Sequence, residues 1–322
     1  MMTKAPAPEN DPVRIGLVGC GRLAEFGYLP AFKQTGCIRL VAVADINHFR
    51  CHSIAPGVPS YRSIQSLIGA GGIEALIIAT PTRFHLADAC AAAEAGIPVL
   101  LEKPPGLNVD EARALCRLQP QPWIGFNRRF DPDIAKLRFA VHAGERLELD
   151  MHYRRSSWRP FDMQDDALLD LAPHLIDLAC WLTGSEVSWT RAISLQAHRV
   201  KLELELTRCR AVVSCSTNTP YRERIAIRDV SGRVRQIYKR GGLLAGFAGK
   251  LHFKRENPLV NLMARQLEAF AAAVRGRSCN PSLATSTDGF FVMKAIDDAR
   301  CSGAQNGIPC DTAPDAGVES VL

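Results

Sequence analysis

Short apolar runs separated by amphipathic stretches fill the first 126 residues, and they constrain the fold more than any other feature. The runs are rich in Val, Ile and Leu and lie at 13–19, 40–45, 75–80 and 98–102. Continuous apolar runs of this length are typical of parallel strands, because helices cover both faces of such a sheet. The alternation therefore predicts an α/β fold built on a doubly wound parallel sheet.

The pattern changes after residue 126. Several strand-like runs lie between 187 and 239, some separated by turn signals such as Ser231-Gly232, and two helical stretches follow at 261–274 and 288–300. Closely spaced runs with turn residues predict an antiparallel meander. We therefore expect a disordered tail at 1–12, a first domain built on the doubly wound sheet at 13–126, and a second α/β domain at 127–322.

Composition narrows the class of protein. The chain has 322 residues, of which 47% are hydrophobic and 22% charged, as in a globular protein. It has no apolar stretch of the roughly 20 residues needed to span a bilayer, and its polar N-terminus does not resemble a signal peptide. The 11 cysteines include no Cys-x-x-Cys pair, which predicts reduced thiols in the cytoplasm and no metal site.

The positive charge of the chain is concentrated in one segment. The formal net charge is +6, and between residues 221 and 255 ten Lys or Arg are opposed by two acidic residues, which gives 10 − 2 = +8. Such a segment is either a solvated strand face or a surface that attracts an anionic substrate, such as a phosphorylated or nucleotide-linked sugar. Nucleic acid is disfavoured, because no aromatic residues for base stacking are interleaved.

A glycine-rich turn follows the first predicted strand and opens a helix. It has the form G-x-G-x-x-A, in which Gly19 permits a tight turn, Gly21 lets the backbone approach a pyrophosphate, and Ala24 keeps the helix near the sheet. In this strand–turn–helix context the pattern predicts a dinucleotide site. The turn residues expected to contact the cofactor are Gly19, Cys20, Gly21, Arg22 and Leu23.

Asp45 ends the second predicted strand. A carboxylate at this position accepts hydrogen bonds from ribose hydroxyls and repels the 2′-phosphate of NADP. The next two residues, Ile46 and Asn47, supply no cation for that phosphate, although Arg50 lies nearby. The sequence therefore predicts NAD as the cofactor, with NADP as the alternative.

Polar residues also follow the third and fourth predicted strands. Thr80-Pro81 ends one strand, and Glu102-Lys103-Pro104 ends the next. The carboxyl ends of parallel strands form the edge at which a doubly wound sheet binds its ligand. We therefore expect Lys103 to reach the binding cleft, whereas most lysines in such tripeptides are surface residues.

A second candidate pair lies in the helical stretch 168–182. Asp170 and His174 are four residues apart, which places both on one face of a helix. A carboxylate beside an imidazole orients the ring for general acid–base work, and the alternative is a structural pair that caps a helix. Pro173 complicates the geometry, because proline fits only the first turn of a helix or a kink. Asp177 is expected to be structural.

These features together resemble the glucose–fructose oxidoreductase/inositol dehydrogenase (Gfo/Idh/MocA) family. The resemblance runs from about residue 14 to about residue 309, through GLVGCGRLA, IIATPTRFH, AGIPVLLEKPPGLN, GFNRRFDP and LLDLAPHLIDLACWLTG. It implies an N-terminal Rossmann domain and a C-terminal α/β domain with an open, mostly antiparallel sheet that forms homo-oligomers. Where family members often have a Gly-rich stretch before Leu-x-Asp, this chain has residues 163–167, MQDDA.

The resemblance also implies roles for individual residues. Lys103 and His174 match the catalytic Lys and His of the family, and Asp170 matches the accompanying Asp. The remaining positions that the resemblance implies contact either the cofactor, namely Thr80, Pro81, His85, Glu102, Lys103 and Asn127, or the substrate, namely Arg129 and His174. By their residue types, Arg154 and Trp158 are further candidate contacts for a phosphate or a sugar face of the substrate, with an ordinary surface cluster as the equal alternative.

The expected activity is hydride transfer between nicotinamide and a secondary alcohol or ketone of a sugar, nucleotide sugar or cyclitol-like molecule. One alternative keeps NAD bound and uses transient oxidation to eliminate a glycoside. Another is a regulatory protein that binds NAD without catalysis. Intact Lys103, Asp170 and His174 argue against that last alternative.

Overall fold

A computed structural model describes residues 11–154, 166–241, 258–277, 279–304 and 310–311. The first sheet is parallel throughout, with strand order β3-β2-β1-β4-β5-β6. This is the doubly wound sheet that the sequence predicts. Its strands are β1 (Val13–Val18), β2 (Ile38–Ala44), β3 (Ser60–Tyr61), β4 (Ala75–Ile78), β5 (Val99–Leu101) and β6 (Trp123–Ile124).

Helices connect these strands and cover the sheet. The helix expected after the glycine turn begins with a π-helical turn (Ala24–Tyr28), which leads directly into α1. Asn47, Ser63 and Asn108 cap the three helices that they precede by accepting hydrogen bonds from backbone N–H groups. The helices are α1 (Leu29–Phe32), α2 (His48–Ile54), α3 (Ile64–Ala70), α4 (His85–Glu94), α5 (Val109–Leu115) and α6 (Pro132–Ala135).

The second sheet is mixed and has the strand order β12-β11-β7-β10-β9-β8-β13. Only β7 and β10 pair in parallel, so the expected meander is confirmed except for this crossover. Its strands are β7 (Arg146–Arg154), β8 (Val187–Gln196), β9 (Arg199–Leu206), β10 (Arg210–Ser216), β11 (Asn218–Arg228), β12 (Val234–Gly241) and β13 (Cys310–Asp311).

One face of this sheet is apolar and the other is charged. Leu147, Leu149 and Leu202 are buried in one hydrophobic cluster with helices of the second half of the chain. Glu148 and Asp150 alternate with them on β7 and point to the opposite face, as the two-residue period of a strand requires. The helices of this half are α7 (Ala167–Asp170), α8 (Ala172–Thr183), α9 (Pro258–Val274) and α10 (Ser286–Ala304).

Helix α9 packs against the first sheet, although it lies far along the chain. Its residues Leu267 and Phe270 share a buried cluster with Ile15 and Leu17 of β1. A Cβ on Gly27 would lie 2.6 Å from the sulfur of Met263, so the glycine allows α9 to approach closely. The predicted domain boundary at 126/127 stays a prediction, and this helix crosses it in space.

Helix α7 ends at Asp170 and α8 begins at Ala172, so the helical stretch expected over 168–182 is divided into two helices. Pro173 explains the break. It has no N–H to donate, and it therefore lies in the first turn of the new helix. None of the helices within the described ranges combines the length and apolarity needed to cross a membrane.

Candidate active site

The turn after β1 combines a crowded glycine with an open one. Gly19 has φ of 96°, and a Cβ there would lie 2.5 Å from the carbonyl oxygen of Ala79. A side chain would therefore strain the backbone and collide with the segment that follows β4. A Cβ at Gly21 would meet no atom within 4 Å. The space above Gly21 is open to a ligand, as the backbone cradle for a pyrophosphate requires.

Asp45 follows β2 and is tied to this turn. Its Oδ2 accepts a hydrogen bond from the backbone N–H of Cys20 at 2.7 Å, and its Oδ1 accepts one from Asn47 at 2.8 Å. Each carboxylate oxygen has a further lone pair, so Asp45 keeps acceptor capacity for ribose hydroxyls. The sulfur of Cys20 lies 3.5 Å from that of Cys51, which packs α2 beneath the turn.

The next polar group lies where β4 ends. His85 is 1% exposed, and its Nδ1 and Nε2 lie 2.8 Å from the carbonyl oxygens of Pro104 and Thr80, respectively. The imidazole therefore bridges the turns that follow β4 and β5. The Thr80 hydroxyl donates to Asp88 at 2.8 Å, and burial raises the pKa of Asp88 despite this bond. Pro81 is exposed.

Lys103 joins the first sheet to the second half of the chain. Its ammonium Nζ donates to the backbone carbonyl of Asp170 at 2.8 Å and lies 3.3 Å from Oδ1 of the same residue. The side chain of Lys103 is 12% exposed and that of Asp170 is 2% exposed. The lysine thus lies at the ligand-binding edge of the sheet, largely withdrawn from water and held by a carboxylate.

His174 lies in the first turn of α8 and is 9% exposed. Its ring meets Phe126 edge-on, with 6.4 Å between the centroids. Phe126 follows β6, so His174 packs against the same sheet edge as the other site residues. The expected use of Asp170 to orient His174 stays a prediction, since the contact described for that carboxylate is with Lys103.

Glu102 lies beneath the lysine turn and is 3% exposed. Its Oε1 accepts a hydrogen bond from the hydroxyl of Tyr28 at 2.6 Å, and its Oε2 accepts one from the backbone N–H of Lys103 at 3.2 Å. Sequence reasoning missed Tyr28, because a tyrosine on the apolar side of a helix is typical of an ordinary core residue. Only the fold brings its hydroxyl to Glu102.

Asn127 begins the 3₁₀ turn Asn127–Phe130 after β6. Its side-chain Oδ1 is buried and finds no hydrogen-bond donor within the described part of the chain. A buried acceptor without a donor costs stability, and a ligand amide could supply that donor. The open space at Gly21, the carboxylate of Asp45 and the buried Oδ1 of Asn127 together fit a dinucleotide such as NAD.

Arg129 was expected near the substrate, but the structure places it in a buried ion network. It is 3% exposed, and its guanidinium contacts both carboxylate oxygens of Asp177, at 2.6 to 3.1 Å, and Asp288 at 3.1 Å. Burial opposes the charge of Arg129, but the two carboxylates raise its pKa above the usual range. The expected structural role of Asp177 fits this geometry, and Arg129 is not open to a substrate.

Several arginines in the described part of the basic segment, residues 221–241, pair with acids from elsewhere in the chain, whereas residues 242–255 lie outside the described residues. Arg224 and Arg228 of β11 contact Glu148 of β7, and Arg224 also contacts Asp150 at 2.9 Å. These ion pairs favour the solvated strand face over an anion-attracting surface. Counting charge along the sequence could not find them, since the acids lie more than seventy residues away.

Several predicted positions add little to the site. Arg22 is exposed and lies over the ring of Phe26, and Leu23 is half-buried. Trp158 lies outside the described residues, and Arg154 is described only as the last residue of β7. The described ranges contain no cluster of three potential metal ligands.

The chain is similar to known dehydrogenases in sequence. It is 31% identical over 186 residues to inositol 2-dehydrogenase from Corynebacterium glutamicum, covering 54% of this chain and 55% of the relative. It is 32% identical over 199 residues to UDP-N-acetylglucosamine 3-dehydrogenase from Acidithiobacillus ferrooxidans, covering 60% of this chain and 61% of the relative. The matched region thus spans little more than half the length of these curated relatives.

The likeness in structure extends over nearly the whole chain. An oxidoreductase from Agrobacterium radiobacter, solved in complex with NAD⁺, L-tartaric acid and magnesium, superposes with a TM-score of 0.75 at 16% identity. The match covers 93% of this chain and 98% of that one, which shows a shared two-domain α/β fold.

A family model provides the most direct assignment. Residues 13–121 match the model of the Gfo/Idh/MocA oxidoreductase family with an NAD-binding Rossmann fold. These residues contain five of the six strands of the parallel sheet, the glycine turn, Asp45 and Lys103 described above. The family resemblance predicted from the sequence is thereby confirmed over residues 13–121, which are similar to the NAD-binding Rossmann domain of this oxidoreductase family.

Proposed function

We propose that the protein is an NAD-dependent oxidoreductase acting on a secondary alcohol, or the corresponding ketone, of a sugar or cyclitol-like molecule. The observation that carries this proposal is the contact between Lys103 and Asp170 at the ligand-binding edge of the sheet. A charged amine that is largely withdrawn from water can hold a substrate oxygen more strongly than an exposed one.

The residues of the chain have distinct roles in this reaction. Lys103 binds the reacting oxygen and stabilises the negative charge that develops on it. His174 exchanges the hydroxyl proton, and Asp170 positions the lysine. When bound, the nicotinamide accepts or supplies the hydride. The backbone at Gly21, the carboxylate of Asp45 and the buried Oδ1 of Asn127 would hold the dinucleotide.

The substrate class follows from the relatives and from the charge distribution. One relative is named for inositol and another for UDP-N-acetylglucosamine, and both names describe dehydrogenases. Because Arg224 and Arg228 are already paired with carboxylates, these two arginines give no reason to require an anionic substrate. We therefore put neutral sugars and cyclitols first and nucleotide sugars second.

A substrate panel tests the proposal. The purified protein is mixed with NAD⁺ and myo-inositol, free hexoses or UDP-N-acetylglucosamine, and the absorbance of reduced nicotinamide is followed. Lys103→Met should lower turnover by at least about 100-fold. Lys136→Met, at an exposed lysine paired with Asp133, is the matched control and should retain full turnover.

Each outcome bears on the proposal. Near-normal turnover in Lys103→Met, with NAD⁺ binding retained by calorimetry, would overturn the role of Lys103. Product formation without net reduction of NAD⁺ would replace the proposal by the cofactor-cycling elimination. NAD⁺ binding without conversion of any candidate would favour the regulatory protein. Homo-oligomerisation through the second sheet and a cytoplasmic location stay predictions.

A further inference from the structure

A buried hydrogen bond joins the helix after the glycine turn to the turn that bears Lys103. The hydroxyl of Tyr28 donates to Oε1 of Glu102 at 2.6 Å. Tyr28 is fully buried and Glu102 is 3% exposed. A hydrogen bond to a buried carboxylate is among the stronger polar contacts in a protein, because little water competes for it.

The local helix geometry places this hydroxyl inward. Residues Ala24–Tyr28 form a π-helical turn, in which the N–H of Leu29 donates to the carbonyl of Ala24, five residues earlier. The turn is one residue wider than that of a regular helix, and both Gly27 and Tyr28 in it are buried. Segments of this kind often occur at functional sites. Here the turn lies immediately after the backbone expected to hold the pyrophosphate.

The contact continues from Glu102 to the lysine. The second oxygen of Glu102 accepts the backbone N–H of Lys103 at 3.2 Å, and the ammonium of Lys103 reaches Asp170. A Cβ on Gly125, the residue after β6, would lie 3.1 Å from the carboxyl group of Glu102, so the glycine lets the backbone after β6 approach that carboxylate closely. The carboxylate therefore fixes the backbone from which the lysine side chain extends.

We propose that Tyr28 is a positioning residue, which acts through Glu102 to hold the Lys103 turn in the orientation that brings the ammonium to Asp170. The inference rests on the proposed function, since the orientation of Lys103 matters to catalysis only if Lys103 acts on a substrate. The Tyr28–Glu102 hydrogen bond also links the Lys103 turn to the helix that follows the glycine turn. The residues proposed to hold the substrate are therefore connected, through buried groups, to those proposed to hold the cofactor.

Two features of Tyr28 support this role over that of an ordinary core residue. A phenylalanine would fill the same apolar space, so packing alone does not account for the hydroxyl. In addition, burial and the neighbouring charge of Glu102 raise the pKa of Tyr28 well above its ordinary value. The hydroxyl therefore remains a donor over the working pH range.

Chemical labelling of the full-length protein tests the inference without any substrate. Tyr28→Phe removes one oxygen and keeps the ring. Tyr238→Phe is the matched control, because Tyr238 is also buried and donates to a carboxylate, Asp131, at 3.2 Å. Each variant is treated with a trace of acetic anhydride, with and without NAD⁺, and the acetylation rate of every lysine is measured by peptide mass spectrometry.

We expect Tyr28→Phe to raise the acetylation rate of Lys103 at least about threefold, because the loosened turn lets the amine leave Asp170. Lys136 and Lys201, which are exposed, should keep their rates, and Tyr238→Phe should leave Lys103 at its wild-type rate. An unchanged rate at Lys103 in folded Tyr28→Phe would overturn the inference. So would an equal increase at all lysines, since that reports general loosening.

A second variant covers the case in which Tyr28→Phe does not fold. Glu102→Gln keeps the shape of the side chain and removes its charge, and it should also raise the labelling rate of Lys103. A wild-type rate there would overturn the inference. Because labelling needs no turnover, the result stands apart from the substrate panel: activity with unchanged labelling refutes only the role of Tyr28, whereas altered labelling without activity refutes only the proposed reaction.

Discussion

The buried network around Arg129 allows a sharp test of whether that residue is structural. Asp177 is 1% exposed and contacts the guanidinium at 2.6, 3.0 and 3.1 Å. The substitution Asp177→Asn keeps the shape of the side chain but removes the charge that balances Arg129. Arg129 would then stay buried, and among the described residues its only remaining ionic partner would be Asp288, whose side chain is 37% exposed.

The expected cost follows from this geometry. Removing one partner of a buried ion pair costs about 3–5 kcal/mol, because the other charge stays buried and uncompensated. The remaining contact with Asp288, at 3.1 Å, offsets part of this, so we expect a loss of about 3 kcal/mol. With an unfolding entropy of about 2.1 cal/mol/K per residue, that loss lowers the melting temperature of the 322-residue chain by about 4 °C.

Thermal unfolding followed by tryptophan fluorescence measures the effect. Asp133→Asn is the matched control, because Asp133 pairs with Lys136 on the surface, where both side chains are exposed, and its loss should leave the melting temperature unchanged. A loss below about 1 kcal/mol in Asp177→Asn would refute the structural interpretation of the network. Unchanged stability together with weaker substrate binding would instead restore Arg129 as a substrate contact.

Three further predictions concern the cofactor turn and acid stability. Gly21→Ala should weaken NAD⁺ binding in calorimetry without changing the melting temperature, because its Cβ would occupy the open space, whereas Gly19→Ala should lower the melting temperature itself. Asp45→Asn should narrow the difference in affinity between NAD⁺ and NADP⁺, since the repelling charge is lost; an unchanged ratio would contradict the assigned role. Burial would raise the pKa of Glu148, but hydrogen bonds from Arg228 and Arg224 lower it below its usual 4.5. The charge of Glu148 therefore stabilises the fold when the pH is above 4.5, and this stabilisation is lost as the pH falls through the lowered pKa. Glu148→Gln should be less stable than the wild type at neutral pH and should lose less stability on acidification.

The order of strands and helices in residues 13–126 could be predicted from the sequence because each of these elements has a recognisable local pattern. Buried parallel strands are continuous apolar runs, and the glycine turn is a contiguous motif, so both can be recognised without knowing the fold. The positions of Asp45 and Lys103 follow directly, since each ends one of those strands. Short elements escaped this reasoning, as β3 has only two residues, Ser60 and Tyr61.

Helix continuity was harder to predict. The apolar pattern over 168–182 carries a helical period, but Pro173 divides it into α7 and α8. Likewise, nothing in the local sequence indicated that the first helix would contain a π-helical turn. The position of Tyr28 depends on that turn and on the approach of α9, which arrives from more than two hundred residues away.

The sequence by itself determined the parallel sheet, the glycine turn, and which residue types stand at its ligand-binding edge, since each depends on neighbours in the chain. The tertiary structure alone decided which charges meet. It joined Lys103 to Asp170, buried Arg129 between Asp177 and Asp288, and paired the arginines of β11 with the acids of β7. Ion pairing and burial depend on distance in space, and residues tens to hundreds of positions apart are brought together only when the chain is folded.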